Sequence, residues 1–142
     1  MPALVDTNVL VYRFDPRFPE KQRVASALLR AGLERGDTYL CHQVLVEFVA
    51  ATTRAGPHGR PLLRPEEAWR EATALLAQFP VLVPKAEDLQ LALRGCAAYD
   101  LSWFDALIWA VAENNGLGVL WTEDLQAGRR YGRVRVQNPF LG

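Results

Sequence analysis

Trp103-Phe104-Asp105-Ala106-Leu107-Ile108-Trp109-Ala110-Val111-Ala112-Glu113-Asn114-Asn115-Gly116, continued by Val119-Leu120-Trp121-Thr122-Glu123-Asp124, is the stretch that decides the fold. Its first part predicts an apolar helix over Trp103 to Asn114, stopped by Asn115-Gly116, a pair that tolerates left-handed backbone. Its second part predicts a short strand over Val119 to Thr122. That strand has no polar alternation, so both of its faces are expected to be covered. Each half carries an acid where acids are costly. Asp105 lies between Trp103-Phe104 and Ala106-Leu107-Ile108, and Asp124 follows the apolar strand.

The same grammar runs outward to both ends. Ala3 to Asp6 reads as a buried strand, and Pro19 to Arg35 as a helix with Pro19 at its start and Gly36 at its stop. Val24, Leu28, Leu29 and Leu33 are expected to form its apolar face. Thr38 to Cys41 is a second strand and His42 to Ala55 a second helix, closed by Gly56-Pro57. Pro57 to Pro65 reads as an exposed loop. Helices are predicted over Glu66 to Phe79 and Ala86 to Tyr99, with strands over Val81 to Val83 and Val134 to Val136. Short apolar strands alternating with helices predict an α/β fold, with a mainly parallel central sheet covered by helices on both faces. A chain of 142 residues predicts one domain, residues 1–142.

Composition narrows the function. Lys+Arg and Asp+Glu are both 16, so the net charge is zero, which argues against coating nucleic acid by bulk charge. Lys21 and Lys85 are the only lysines; the remaining basic residues are arginines, suited to bidentate phosphate contacts. Cys41 and Cys96 have neither zinc nor redox spacing and read as buried free thiols. The start Met1-Pro2-Ala3 has no basic n-region, and no stretch is long enough for a membrane span. A cytoplasmic protein without a membrane partner is expected.

Four carboxylates, Asp6, Glu47, Asp105 and Asp124, interrupt apolar stretches. An unpaired buried charge costs several kcal/mol or gives up its ionisation. Three of them have a simpler explanation. Asp6-Thr7-Asn8 can cap a following helical turn, Ser102-x-x-Asp105 has the capping-box pattern, and Thr122-Glu123-Asp124 can cap a turn. Glu47 has the weakest such explanation, because its helix is apolar on nearly every side. Asp6 and Asp124 follow strand ends, and Glu47 and Asp105 lie near the starts of helices, so all four can meet at one sheet edge. Carboxylates ~4 Å apart repel by about 4 kcal/mol per pair at an effective dielectric near 20. Such a cluster calls for a hard divalent cation such as Mg²⁺ or Mn²⁺.

Asp6-Thr7-Asn8, the lone Glu47, Trp103-Phe104-Asp105-Ala106-Leu107-Ile108 and Thr122-Glu123-Asp124-Leu125-Gln126 resemble the four acidic motifs of PIN-domain ribonucleases. The branch most resembled is the VapC-type toxins of toxin–antitoxin pairs, and Asn138-Pro139-Phe140 fits that branch. The likeness runs from Leu4 to Phe140. It implies a PIN-like three-layer α/β/α sandwich. It implies a metal-dependent endoribonuclease that uses activated water and leaves 5′-phosphate and 3′-hydroxyl ends. Asp6, Glu47, Asp105 and Asp124 then hold Mg²⁺ or Mn²⁺, supported by Asn8 and Thr122. Glu123 is an extra acid, and Asp124 is preferred as the ligand by its spacing from Thr122. Arg129 and Arg130 downstream read either as phosphate contacts near the site or, equally, as solvated surface residues. The implied partners are a cognate antitoxin, an RNA substrate and a second copy in a homodimer. Trp69, Leu75 and Leu76 on the Glu66 to Phe79 helix are candidate surface residues for the dimer or antitoxin contacts, with ordinary core packing as the commoner alternative.

Two rivals stand beside this reading. A haloacid-dehalogenase-like phosphatase also places Asp after its first strand, but Asn8 stands where its second Asp is needed, and Lys21 and Lys85 are poorly placed. A non-catalytic binding module would use the acids only as caps. His42 and His58, the only histidines, are expected to be structural or solvent-exposed.

Overall fold

The computed structural model describes residues 1–56 and 59–141. Its elements are β1 (Ala3–Val5), α1 (Thr7–Tyr12), α2 (Pro19–Arg35), β2 (Thr38–Cys41), α3 (His42–Thr53), α4 (Pro65–Gln78), β3 (Val81–Leu82), α5 (Ala86–Tyr99), α6 (Trp103–Asn114), β4 (Val119–Trp121), β5 (Arg130–Tyr131) and β6 (Val134–Gln137). The strands form one sheet in the order β3-β2-β1-β4-β6-β5. Every pairing is parallel except β5 with β6. The chain steps outward from β1 to β2 and β3, then returns to add β4 on the other side of β1. Right-handed crossovers place helices laid down in opposite directions on opposite faces. Accordingly α1 to α4 pack among themselves on one face and α5 with α6 on the other, giving the expected three-layer α/β/α sandwich.

The central strands are as apolar as their sequence requires. Leu4, Val5, Leu40 and Leu120 are wholly buried. Each such side chain contributes about 1.5–3 kcal/mol relative to exposure. In α6, residues Ala106 and Ile108 to Ala112 are all buried, which accounts for a helix lacking a broad polar face. Trp109 locks α6 in place: its Nε1–H donates to Tyr131 O at 2.9 Å, and its ring packs edge-on against Tyr99. Gly95 of α5 admits that indole, because a Cβ there would lie 2.6 Å from a ring carbon.

Several boundaries and faces differ from the sequence reading. Helix α1 forms where only a capped turn is expected, because Asp6 satisfies its first N–H. Strand β5 is unanticipated; two residues are too few to show a period. Helix α3 ends at Thr53 rather than Ala55, and β3 stops at Leu82. Leu33, expected in the core, is exposed, and Gly32 takes the buried position against Thr38. On α4, Leu75 is core, the commoner alternative, whereas Trp69 and Leu76 are exposed. Cys41 is buried but Cys96 only partly so, and His42 is exposed. His58 and Pro57 lie outside the described residues. Among the described residues no helix is long and apolar enough to cross a membrane.

Candidate metal centre

The turn of strand order falls between β1 and β4, where parallel α/β sheets open a crevice at their strand ends. The register pairs Val5 with Trp121, so the next residues, Asp6 and Thr122, emerge side by side. Asp6 N–H donates to Trp121 O at 3.0 Å, which carries the pairing one step past the strand. Asp6 is buried, and both of its oxygens are used. Oδ1 accepts from Thr7 N–H at 2.7 Å, while Oδ2 accepts from the Thr122 hydroxyl at 2.8 Å and from Asn8 Nδ2 at 3.3 Å. Burial dominates its acidity and pushes the carboxyl up to about 6. The Thr122 and Thr7 donors pull it down, and the charges of Asp124 and Asp105 add a smaller upward push.

Asp105 sits in the first turn of α6. The Ser102 hydroxyl oxygen accepts from its backbone N–H at 3.3 Å, but the return half of the capping box does not form. Among the described residues its carboxylate accepts no hydrogen bond, and it lines a cavity of about 370 Å³ instead. Asp124 stands at the solvent-facing rim of the same cavity. Asn8 Nδ2 donates to its Oδ2 at 3.1 Å, and its own backbone N–H donates to Thr122 Oγ1 at 3.1 Å. Desolvation raises its pKa, opposed by the Asn8 bond and reinforced by Asp105, Glu123 and Glu47. One oxygen each from Asp6, Asp105 and Asp124 lies within 4.8 Å of the others.

Glu47 lines the cavity from α3 without entering that trio. Its Oε2 accepts from the Thr7 hydroxyl at 2.7 Å and its Oε1 from Gln43 Nε2 at 2.8 Å. Gln43 Oε1 is left buried with no hydrogen-bond partner among the described residues. Thus the start of α1, α3, α6 and the β4 exit each bring one acid to the edge, and Asn8 and Thr122 tie two of them together.

Glu123 turns the other way. It accepts from the Tyr12 hydroxyl at 2.7 Å and pairs with Lys21 Nζ at 3.0 Å. That ammonium lies over Tyr12 and within 5.5 Å of the Phe18 and Phe140 ring centroids. Arg129 does not line the acid cavity; its guanidinium lies 4.5 Å over the Tyr131 ring. Arg130 is drawn into β5 and does not line the cavity. The sequence reading missed Thr7, Gln43, Tyr12 and Lys21 as partners of acids. Gln43 and Glu47 are an i,i+4 pair, a signal that was available. Lys21 lies 102 residues from Glu123 and offered none.

No curated protein sequence matches the chain. Solved structures match it at low identity over nearly its whole length. A toxin–antitoxin complex from Klebsiella pneumoniae is 19% identical with a TM-score of 0.69, covering 96% of this chain and 97% of that one. VapBC2 from Rickettsia felis, bound to a DNA fragment from its promoter, is 15% identical with a TM-score of 0.70, covering 97% and 98%. VapC20 from Mycobacterium tuberculosis, a toxin that cleaves the sarcin–ricin loop, is 19% identical with a TM-score of 0.60, covering 83% and 86%. A family model described as the PIN domain matches residues 3–132, a span that contains every acid of the cavity. The chain therefore belongs to the PIN-domain family, as its acidic motifs suggested.

Proposed function

We propose that this protein is a metal-dependent endoribonuclease and the toxin of a toxin–antitoxin pair. The observation that carries the reading is the trio of Asp6, Asp105 and Asp124 oxygens within 4.8 Å, one of them buried, in the wall of an open cavity. An all-oxygen, all-carboxylate donor set of this kind fits Mg²⁺ or Mn²⁺ and disfavours softer metals. Asp6 and Asp105 would hold the ion with Asp124, and Glu47 would complete the site directly or through water. Such an ion would acidify water near neutral pH and offset the charge of a phosphodiester.

The chain's own residues prepare this chemistry. Thr122 and Asn8 fix the Asp6 carboxylate between them, so its ligand oxygen needs little reorganisation. Thr7 on α1 and Gln43, one turn earlier on α3, orient Glu47. Glu123 is already neutralised by Lys21, which favours Asp124 as the metal ligand. The capping-only alternative suits Asp6, which does cap α1, but leaves the Asp105 carboxylate with nothing to do. The phosphatase alternative finds no support in a PIN-domain chain with Asn8 in place of a second acid.

The toxin part of the reading draws on the neighbours that are toxin–antitoxin complexes and on one that cleaves an RNA loop. By the same analogy the chain would bind a cognate antitoxin; it is our proposal alone that the antitoxin covers the cavity and that two copies pair. The test is direct. Protein purified free of any partner is incubated with RNA in Mn²⁺ or Mg²⁺. Cleavage that EDTA stops and that Asp105→Asn abolishes supports the assignment. Full activity in Asp105→Asn would end it, and hydrolysis of a small phosphomonoester with RNA left intact would point to the phosphatase.

A further inference from the structure

Among the described residues the acid cavity has one cation in its wall. Arg54 lines it together with Asp6, Glu47, Asp105 and Asp124. Four carboxylates face one guanidinium, so the wall stays net negative even around a divalent ion, and a polyanion needs local help to approach. Arg54 forms no ion pair with any carboxylate among the described residues. The backbone leaves α3 at this residue in extended conformation.

A second hollow of about 500 Å³ opens on the other side of Arg54. Arg54 and Ala51 belong to both walls, so the two cavities adjoin. The second is lined by Arg17 and Arg60, over a floor that includes Val11 and Leu62. Arg17 is held in place by a bidentate contact to the buried Asp15, at 2.9 and 2.8 Å. Arg60, like Arg54, has no carboxylate partner among the described residues. Arginines over an apolar floor suit a single nucleic-acid strand, with phosphates on the guanidiniums and sugars and bases on the floor.

We propose that Arg54, with Arg60 beyond it, is the phosphate track that carries an RNA strand out of the acid cavity past the end of α3. Arg54 grips a phosphate neighbouring the one to be cut. This rests on the ribonuclease reading above and deepens it.

The experiment measures binding of a labelled, short single-stranded RNA of randomised sequence to the full chain carrying Asp105→Asn, across several KCl concentrations. Adding Arg54→Gln is expected to raise Kd about tenfold and to lower the slope of log K against log salt by about 0.7, the loss of one phosphate contact on a single strand. Arg54→Lys is expected to restore the slope, because it keeps the charge, while only part of the affinity returns. Arg94→Gln, exposed on α5 and lining neither cavity, is expected to leave both quantities unchanged. If Arg54→Gln binds this RNA with the parent's Kd and slope, the track is wrong and the nuclease reading survives. If the Asp105→Asn parent binds no RNA at any salt, the nuclease reading itself falls.

Discussion

Replacing Asp105 by Asn separates a charge cluster built for a metal from a set of helix caps. The substitution is nearly isosteric, and among the described residues the carboxylate accepts no hydrogen bond that would be lost. The Ser102 cap survives, because it receives the backbone N–H of residue 105. What changes is repulsion, set against about 0.3–1 kcal/mol of helix-dipole stabilisation lost when the charge leaves the first turn of α6. At the 4.8 Å upper limit of the trio, each like-charge pair costs about 3.5 kcal/mol at a dielectric of 20 and about 0.9 kcal/mol in water. Asp105 and Asp124 both reach solvent, and Asp105 ranks last among the influences on Asp6, so the aqueous end applies. Two pairs discounted in this way give a net gain of about 1 kcal/mol for the metal-free variant, or a Tm higher by roughly 3 °C.

Manganese should reverse that order. A wild-type site at about 100 times Kd gains about 2.7 kcal/mol from binding, and the variant forfeits most of this. Thermal melts at pH 7.5 would therefore cross: the variant melts higher in EDTA, the wild type higher in Mn²⁺. A residue that only caps α6 cannot produce a crossing. A variant that melts lower in EDTA, or that keeps the full metal shift, refutes the argument.

The same geometry sets further outcomes. Asp6 has a folded pKa of about 6 against an ordinary value of 3.8, so the native state holds its proton more tightly than the unfolded chain. The associated stability, about 3 kcal/mol, is fully present below pH ~4 and is lost as pH rises through ~6, so metal-free melts should decline over that window. Mn²⁺ titrations should run the opposite way, with affinity falling roughly tenfold per unit below pH ~6 because Asp6 must deprotonate to bind. Calorimetric titration of Asp124→Asn should find Mn²⁺ affinity reduced about 10–100-fold, while Glu123→Gln changes it by less than about threefold, since Glu123 faces Lys21; equal losses would reverse the ligand choice. Gly95→Ala should destabilise by about 1–3 kcal/mol in urea melts, because overpacking against the buried, hydrogen-bonded Trp109 outweighs the roughly 1 kcal/mol gained in helix propensity.

Features that rest on local interactions were legible in the sequence. Apolar runs such as Leu4-Val5 and Val119-Leu120 name buried strands by themselves, and parallel strands at a crossover present the residues after them at one edge. Hence Asp6 and Asp124 could be placed together without knowing the sheet order. The Asp105 carboxylate was harder, because a capping box and a metal ligand share the same sequence pattern. Only the missing return bond to the Ser102 N–H separates them. The exposed Leu33 shows the limit of helical periodicity: it lies on the expected arc, but Gly32 is the residue pressed against Thr38.

The choice between Glu123 and Asp124 had only the resemblance and its Thr122 spacing behind it in the sequence. Both are acids, adjacent, just past the same strand. What divides them is a lysine on α2 whose ammonium is held by Tyr12, Phe18 and Phe140, and by Glu123 itself. With Glu123 drawn toward α2, Asp124 is left to the cavity, where Asn8 and the Thr122 oxygen fix it. A lysine that belongs to none of the acidic motifs thus assigns which of two neighbours faces the acids. The same contact ties the C-terminal Phe140 to the loop beside the site. Loosening Lys21 would therefore weaken Asp124's placement without touching a single acidic motif.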